Sequence, residues 1–333
     1  MRALPRHPSD AQKPAASRTV TSALSILLPL FALIAAGYLS RRARVFDASA
    51  SSTINRFVVW LALPAALFGI MAHSTWAQLW QPRFIAAFGI ATLAVFIAVL
   101  ALRLHGGRHL ADASVDAVAA SYSNTAYVGL PLCLLVFGHA SQMAATVATI
   151  LVVCMLFSLA VVLVEVGLGS DGPGLRTVVQ ALARSLRNPI VLAPLLGAAF
   201  AATGLPLPGG VDTFLHMLGQ AATPCALVGL GAFMADRPAQ PHGQARGHRT
   251  SLSLTAAKLL ALPALTWWLA QSVFLLPAAQ VHMAVLLAAL PTGTGPFMLA
   301  EFYRREAAVT SATTLLTTAG SVVTLSGLLM LFA

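Results

Sequence analysis

Apolar residues run along this chain in blocks too long and too uniform for the amphipathic helices of a water-soluble domain. Windows long enough to cross a bilayer core, about 20 residues each, fall at 22–40, 55–73, 84–104, 115–137 and 144–166, and then at 188–205, 211–235, 252–275, 281–303 and 309–332. The pattern predicts an all-α membrane protein of ten transmembrane helices: a first five-helix unit over 22–166, a cytoplasmic linker at 167–187 and a second unit over 188–333. Residues 1–21 (MRALPRHPSDAQKPAASRTVT) are basic, Pro-rich and lack an apolar core, so they read as a disordered tail rather than a secretory signal.

Two of these windows cannot stay helical. Ser121–Pro131 (SYSNTAYVGLP) and Leu290–Pro296 (LPTGTGP) place Gly, Pro, amides and hydroxyls at membrane depth. Irregular backbone survives there only when buried in protein or lining a wet cavity, because each orphaned N–H or C=O in hydrocarbon costs several kcal/mol. In the fourth window the helix is expected to open between Asn124 and Pro131, with Gly129 permitting the turn and Pro131 starting a new half-helix. In the ninth, Pro291, Thr292, Gly293, Thr294, Gly295 and Pro296 form an unbroken row in which a continuous helix is untenable.

An internal repeat links the two breaks. Pro64–Gly69 and Pro224–Gly229 share the pattern P-x-A-L-x-G at an offset of 160 residues, and the same offset carries Leu130-Pro131 onto Leu290-Pro291. Five spans per unit is an odd number, so the second unit enters the membrane from the opposite side. Inverted repeats of this kind build midplane sites from discontinuous helices whose N-terminal ends favour anions.

Charge sets the orientation. Fifteen of the twenty Lys and Arg lie in the odd-numbered loops and their flanking helix ends, from Arg41, Arg42 and Arg44 to Arg304 and Arg305, against Arg83 and the tail's Arg2, Arg6, Lys13 and Arg18 on the other face. The arginine-rich face is therefore expected in the cytoplasm, with both termini outside the inner (plasma) membrane. Basic residues spread over short loops orient a membrane protein and give no nucleic-acid surface. Cys133, Cys154 and Cys225 fall inside spans without metal-ligand spacing, so no metal or cofactor site is expected.

The candidate chemistry follows from the breaks. Asn124 and Thr125, then Thr292 and Thr294, can present amide and hydroxyl groups to the opening. A plain proline kink with Asn124 as interhelical glue is the competing reading of the fourth span. Lys258, about two turns inside the eighth window, either snorkels to the cytoplasmic face or serves as cationic partner of an anionic substrate. His216, Gln220 and Thr223 can align on one face beside Pro224. Asp116, Glu165, His282 and Glu301 lie close enough to predicted span ends to be solvated.

These residues, taken together, resemble the auxin efflux carrier family of membrane transport proteins, which includes the plant PIN-type carriers and bacterial malonate and malate permeases. The matches are SNTAYVGLPL (Ser123–Leu132), the Pro64 and Pro224 segments, Lys258 followed by Pro263, the Pro291 stretch and the Ser/Thr-rich last span, and the resemblance covers Ser22 to Ala333. It implies a fold like that of bile-acid symporters and sodium-proton antiporters, with broken helices 4 and 9 crossing at Pro131 and Pro291, a site beside Asn124, a homodimer, and elevator-like alternating access. The chain departs from plant members in lacking a long central hydrophilic loop, and it carries Thr292 and Thr294 where an amide is expected. Auxin is therefore not the expected substrate.

The leading expectation is a secondary transporter of a small organic anion, a carboxylate in the first instance, using Asn124, Thr125, Gly129, Pro131, Gln220, Lys258, Pro291, Thr292, Gly293 and Thr294. No P-loop supplies ATP hydrolysis, and no obvious buried acidic pair marks sodium or proton coupling, which leaves potential-driven uniport open. No HExxH, GxSxG or paired Cys/His pattern supports an intramembrane enzyme. A ligand sensor without transport is the remaining alternative.

Overall fold

The computed structural model describes residues 15–75, 80–169, 187–236 and 244–332. Most of the expected linker 167–187, and residues 1–14 of the expected tail, lie outside the described residues. The described chain is all helical apart from one isolated antiparallel bridge between Ser123 and Thr292. Its elements are α1 (Ala15–Arg42), α2 (Ala50–Ala72), α3 (Pro82–His105), α4 (Leu110–Ser121), α5 (Leu130–Phe137), α6 (Gln142–Thr149), α7 (Phe157–Leu168), α8 (Pro189–Ala202), α9 (Gly209–Gln220), α10 (Ala222–Ala235), α11 (Gly247–Val273), α12 (Ala278–Ala288), α13 (Gly295–Phe302) and α14 (Ala307–Phe332). Helix α1 begins at Ala15, so the end of the expected tail is helical rather than disordered.

Among the described residues six helical stretches are long and apolar enough to cross a membrane: Ala50–Ala72, Pro82–His105, Leu132–Leu168, Gly209–Ala235, Gly247–Val273 and Ala307–Phe332. The stretch Leu132–Leu168 turns at Gly138, whose φ of 68° is open to glycine without strain. Windows 115–137 and 281–303 do not appear as single rods because each is cut into two short helices. Pro189–Ala202 and Ala278–Ala288 are shorter apolar helices.

Packing sorts the helices into two bundles. In one, α1 lies along α10 while α2 packs on α8, α9 and α10; in the other, α4 packs on α3 and α7, and α11 on α12 and α14. The first bundle is held by backbone proximity. A Cβ on Gly231 would sit 1.9 Å from the Ile34 carbonyl oxygen, and one on Gly37 would sit 2.0 Å from that of Val228. Small residues at such crossings let helices approach where lipid offers no hydrophobic drive between them.

Three prolines share one local solution. Pro64, Pro131 and Pro263 each occupy the second position after a five-residue π-turn, at Val58–Ala62, Thr125–Gly129 and Ala257–Ala261. A proline removes one N–H and crowds the carbonyl four residues upstream, and the wider π-turn moves that carbonyl aside without ending the helix.

Candidate functional site

The two interrupted helices meet inside the second bundle. Helix α4 stops at Ser121, and Tyr122 turns extended with φ −82° and ψ 94°. Helix α12 stops at Ala288, and helical geometry resumes at Gly295. The extended pieces run antiparallel: Asn124 N donates to the Pro291 carbonyl at 2.9 Å, and Gly293 N to that of Tyr122 at 3.2 Å. Backbone groups released by each break are thus satisfied by the other, which meets the cost of irregular chain at this depth. A side chain at Gly293 would put a Cβ 2.7 Å from the Tyr122 ring, so glycine is required by close approach.

One side of this crossing is saturated. Lys258 is fully buried, and its Nζ donates to the Ala288 carbonyl at 2.6 Å, placing an N–H donor on the C-terminal end of α12. Thr292 Oγ1 donates to the Ala119 carbonyl at 2.8 Å, near the end of α4, and Thr292 N donates to Thr317 Oγ1 at 3.0 Å.

The other side is not. A void of about 30 Å³ is lined by Asn124, Thr125, Thr223, Gly293 and Thr294, with an apolar wall from Leu63, Ala66, Leu67 and Ile70 of α2. Thr125 Oγ1 and Thr223 Oγ1 are buried without a hydrogen-bond partner, and the Asn124 amide and Thr294 hydroxyl have none among the described residues. Asn124 and Thr294 are the N-cap residues of the two resumed helices, and neither side chain closes a cap bond. Free donors and two positive helix ends therefore converge on one small space.

A larger cavity of about 930 Å³ adjoins the void, sharing Ala66, Ile70 and Ala126 with it. Its polar lining includes His73, His139, His216, Asp212, Gln142 and Gln220. His73 Nε2 lies 3.1 Å from Asp212 Oδ1, and Gln220 Nε2 lies 3.2 Å from His216 Nε2.

The expected site residues separate accordingly. Asn124, Thr125, Gly293 and Thr294 line the void, whereas Gln220 lines the larger cavity. Gly129 packs against Leu287 and Leu290, Pro291 contributes its carbonyl to the bridge, and Thr292 and Lys258 fasten the crossing from behind. Lys258 neither snorkels nor lines either cavity. The fourth helix opens before Asn124, over Tyr122–Asn124, rather than between Asn124 and Pro131, because the π-turn Thr125–Gly129 absorbs the proline. The Pro131 side chain lies outside the described residues. Asp116 is buried rather than solvated, with Arg103 Nε 2.7 Å from its Oδ2, and the His282 ring stacks on Phe332.

Sequence reasoning missed Tyr122 and the α2 wall as site elements. The signal for the wall was present in the P-x-A-L-x-G segment, which supplies Ala66 and Leu67. Beyond the bundles, Arg305 holds Asp112 through Nε at 2.8 Å and Nη2 at 2.7 Å, and Arg108 pairs with Glu306. The hydrogen bonds to Asp112 raise the Arg305 guanidinium above its ordinary value.

Apolar helices, a polar crossing and an adjoining cavity define an integral membrane transport protein. The chain matches the family described as Membrane transport protein over residues 22–169 and 175–329, and it belongs to that family, which includes the auxin efflux carriers. It is 31% identical over 311 residues to the "Putative malonate transporter" of Rhizobium meliloti (strain 1021), covering 92% of this chain and 94% of that protein. It is 23% identical over 310 residues to the "Uncharacterized transporter YfdV" of Escherichia coli (strain K12), covering 90% and 94% respectively. It is also 32% identical over 131 residues to "Auxin efflux carrier component 3a" of Oryza sativa subsp. japonica, which covers 38% of this chain and 20% of that one. The family and these relatives are named for transport, not for catalysis.

Proposed function

We propose that the chain is a secondary transporter of small organic anions with a carboxylate group, working by elevator-like alternating access. The observation that carries this reading is the void at the crossing. Four side chains, Asn124, Thr125, Thr223 and Thr294, offer polar groups there without partners among the described residues, under two helix N-terminal ends. A carboxylate accepts up to four hydrogen bonds and matches both donors and dipoles. The name of the Rhizobium meliloti relative favours malonate as the first substrate to test.

In this reading the ten spans form two inverted five-helix repeats, over 22–166 and 188–333, that contribute one broken helix each. The void of about 30 Å³ holds no more than a water, so an organic anion enters only when the α2 wall and the crossing separate. The cavity of about 930 Å³ leads to the void. With the arginine-rich loops cytoplasmic and both termini outside, that cavity opens to the exterior of the inner membrane. A homodimer built on the first bundle would hold it still while the second moves.

Counterflow of labelled malonate in proteoliposomes tests the function, and Asn124→Ala tests the site. Loss of charge-assisted hydrogen bonds worth about 1.5–3 kcal/mol weakens binding roughly ten- to hundredfold. Full counterflow by Asn124→Ala refutes the site, and malonate binding without counterflow favours the sensor reading.

A further inference from the structure

Away from the large cavity, the two bundles are joined by polar contacts along α2 and α13. Ser51 and His73, which bracket α2, are separated by roughly 30 Å of helix, so these contacts lie on the arginine-rich face while the cavity lies on the other. Asn55 Nδ2 donates to the Met298 carbonyl at 3.1 Å, beneath the floor of the void. One turn further, Ser51 Oγ lies 3.0 Å from the Gly229 carbonyl oxygen and also 3.0 Å from Glu301 Oε1. Asn188 Nδ2 donates to Tyr303 Oη at 3.0 Å, and Tyr303 Oη donates to Glu165 Oε1 at 2.6 Å.

The Ser51 site has one proton too few if Glu301 is ionised. A serine hydroxyl carries a single O–H and here faces two acceptors. Glu301 Oε2 is buried with no partner, and no cation pairs with Glu301 among the described residues. An ionised carboxylate so placed would carry an uncompensated charge. A proton on Glu301 completes the set: Glu301 donates to Ser51 Oγ, and Ser51 donates to Gly229.

We propose that Glu301 is a proton-binding site that closes the arginine-rich face: its carboxylic acid bridges the bundles through Ser51, and the face parts when that proton passes to water. The neighbouring ionisable groups are otherwise engaged. On α4, Asp112 and Asp116 are held by Arg305 and Arg103; on α2, Arg56 is exposed; α10 offers only Cys225, with Asp236 beyond its end on Arg41; α14 has no ionisable side chain. Following α13, Tyr303 is bound to Glu165, Glu306 pairs with Arg108, and Arg304 is exposed. The sign is fixed by this arrangement: the protonated form stabilises closure, so raising the pH on this face opens it.

This inference rests on the two-bundle transport reading, but its test uses no substrate, so failed malonate counterflow would leave it standing. Infrared spectra of the full chain in nanodiscs should contain, near neutral pH, a protonated carboxylic acid band that Glu301→Gln removes. In oriented vesicles, a Met298→Cys reporter should be labelled from the arginine-rich face faster as pH rises, by up to about tenfold per pH unit after correction against an exposed cysteine. Glu301→Gln, which keeps the donor, should flatten that dependence, and Ser51→Ala should raise labelling at every pH. An unchanged acid band in Glu301→Gln, or a pH dependence that persists in it, overturns the proposal.

Discussion

The two sides of the helix crossing share one backbone yet treat polar groups in opposite ways. Behind it, Lys258 Nζ, Thr292 Oγ1 and Thr317 Oγ1 each bond a main-chain group at 2.6–3.0 Å. In front, the Asn124 amide and the hydroxyls of Thr125, Thr223 and Thr294 bond nothing among the described residues. Both sets are buried. Burial of an unpaired polar group costs stability, so the front retains a penalty that the back has removed. That asymmetry separates residues that build the crossing from residues whose polar groups are left unpaired among the described residues.

Substitutions can break this comparison. The largest effect belongs to Lys258→Ala, which deletes the donor from the end of α12 and opens a cavity. We expect it to cost about 3 kcal/mol or more, read as a lowered melting temperature together with lost transport. Asn124→Ala comes next: its effect of about 2 kcal/mol falls on anion binding, while the melting temperature of the ligand-free protein stays level or rises. Thr292→Val removes the bond to Ala119 and should cost about 1 kcal/mol of stability, with affinity for malonate little changed. The smallest stability effect is Thr223→Val, within about 0.5 kcal/mol of wild type, although counterflow falls. If Thr223→Val destabilised more than Thr292→Val, the division between the two sides would fail.

Part of this arrangement was legible in the chain because its causes are local. Pro291, Pro296 and the glycines between them forbid an uninterrupted ninth helix whatever surrounds them. The position of the first break was not legible in the same way. Helix α4 ends before Asn124 rather than after it, since a π-turn can accommodate Pro131 and the partner strand holds Tyr122 extended. Glu301 illustrates the same limit from another direction: its closeness to a span end suggested solvation, but Ser51 of α2 binds its Oε1 and its Oε2 is buried.

The sequence by itself determined that this is an integral membrane protein with several long apolar segments, and that the Pro291–Pro296 row must interrupt its helix. Those properties depend on hydropathy and on the covalent limits of proline and glycine. Only the tertiary structure decided the roles of the polar residues at the crossing. Thr292 and Thr294 are two positions apart on one irregular strand, yet one bonds Ala119 and the other lines the void. Lys258 could serve a substrate or a helix end, and the choice fell to the carbonyl of Ala288, thirty residues away in sequence. Hydrogen-bond partners are fixed by where other segments arrive, and that information is spread over the whole fold.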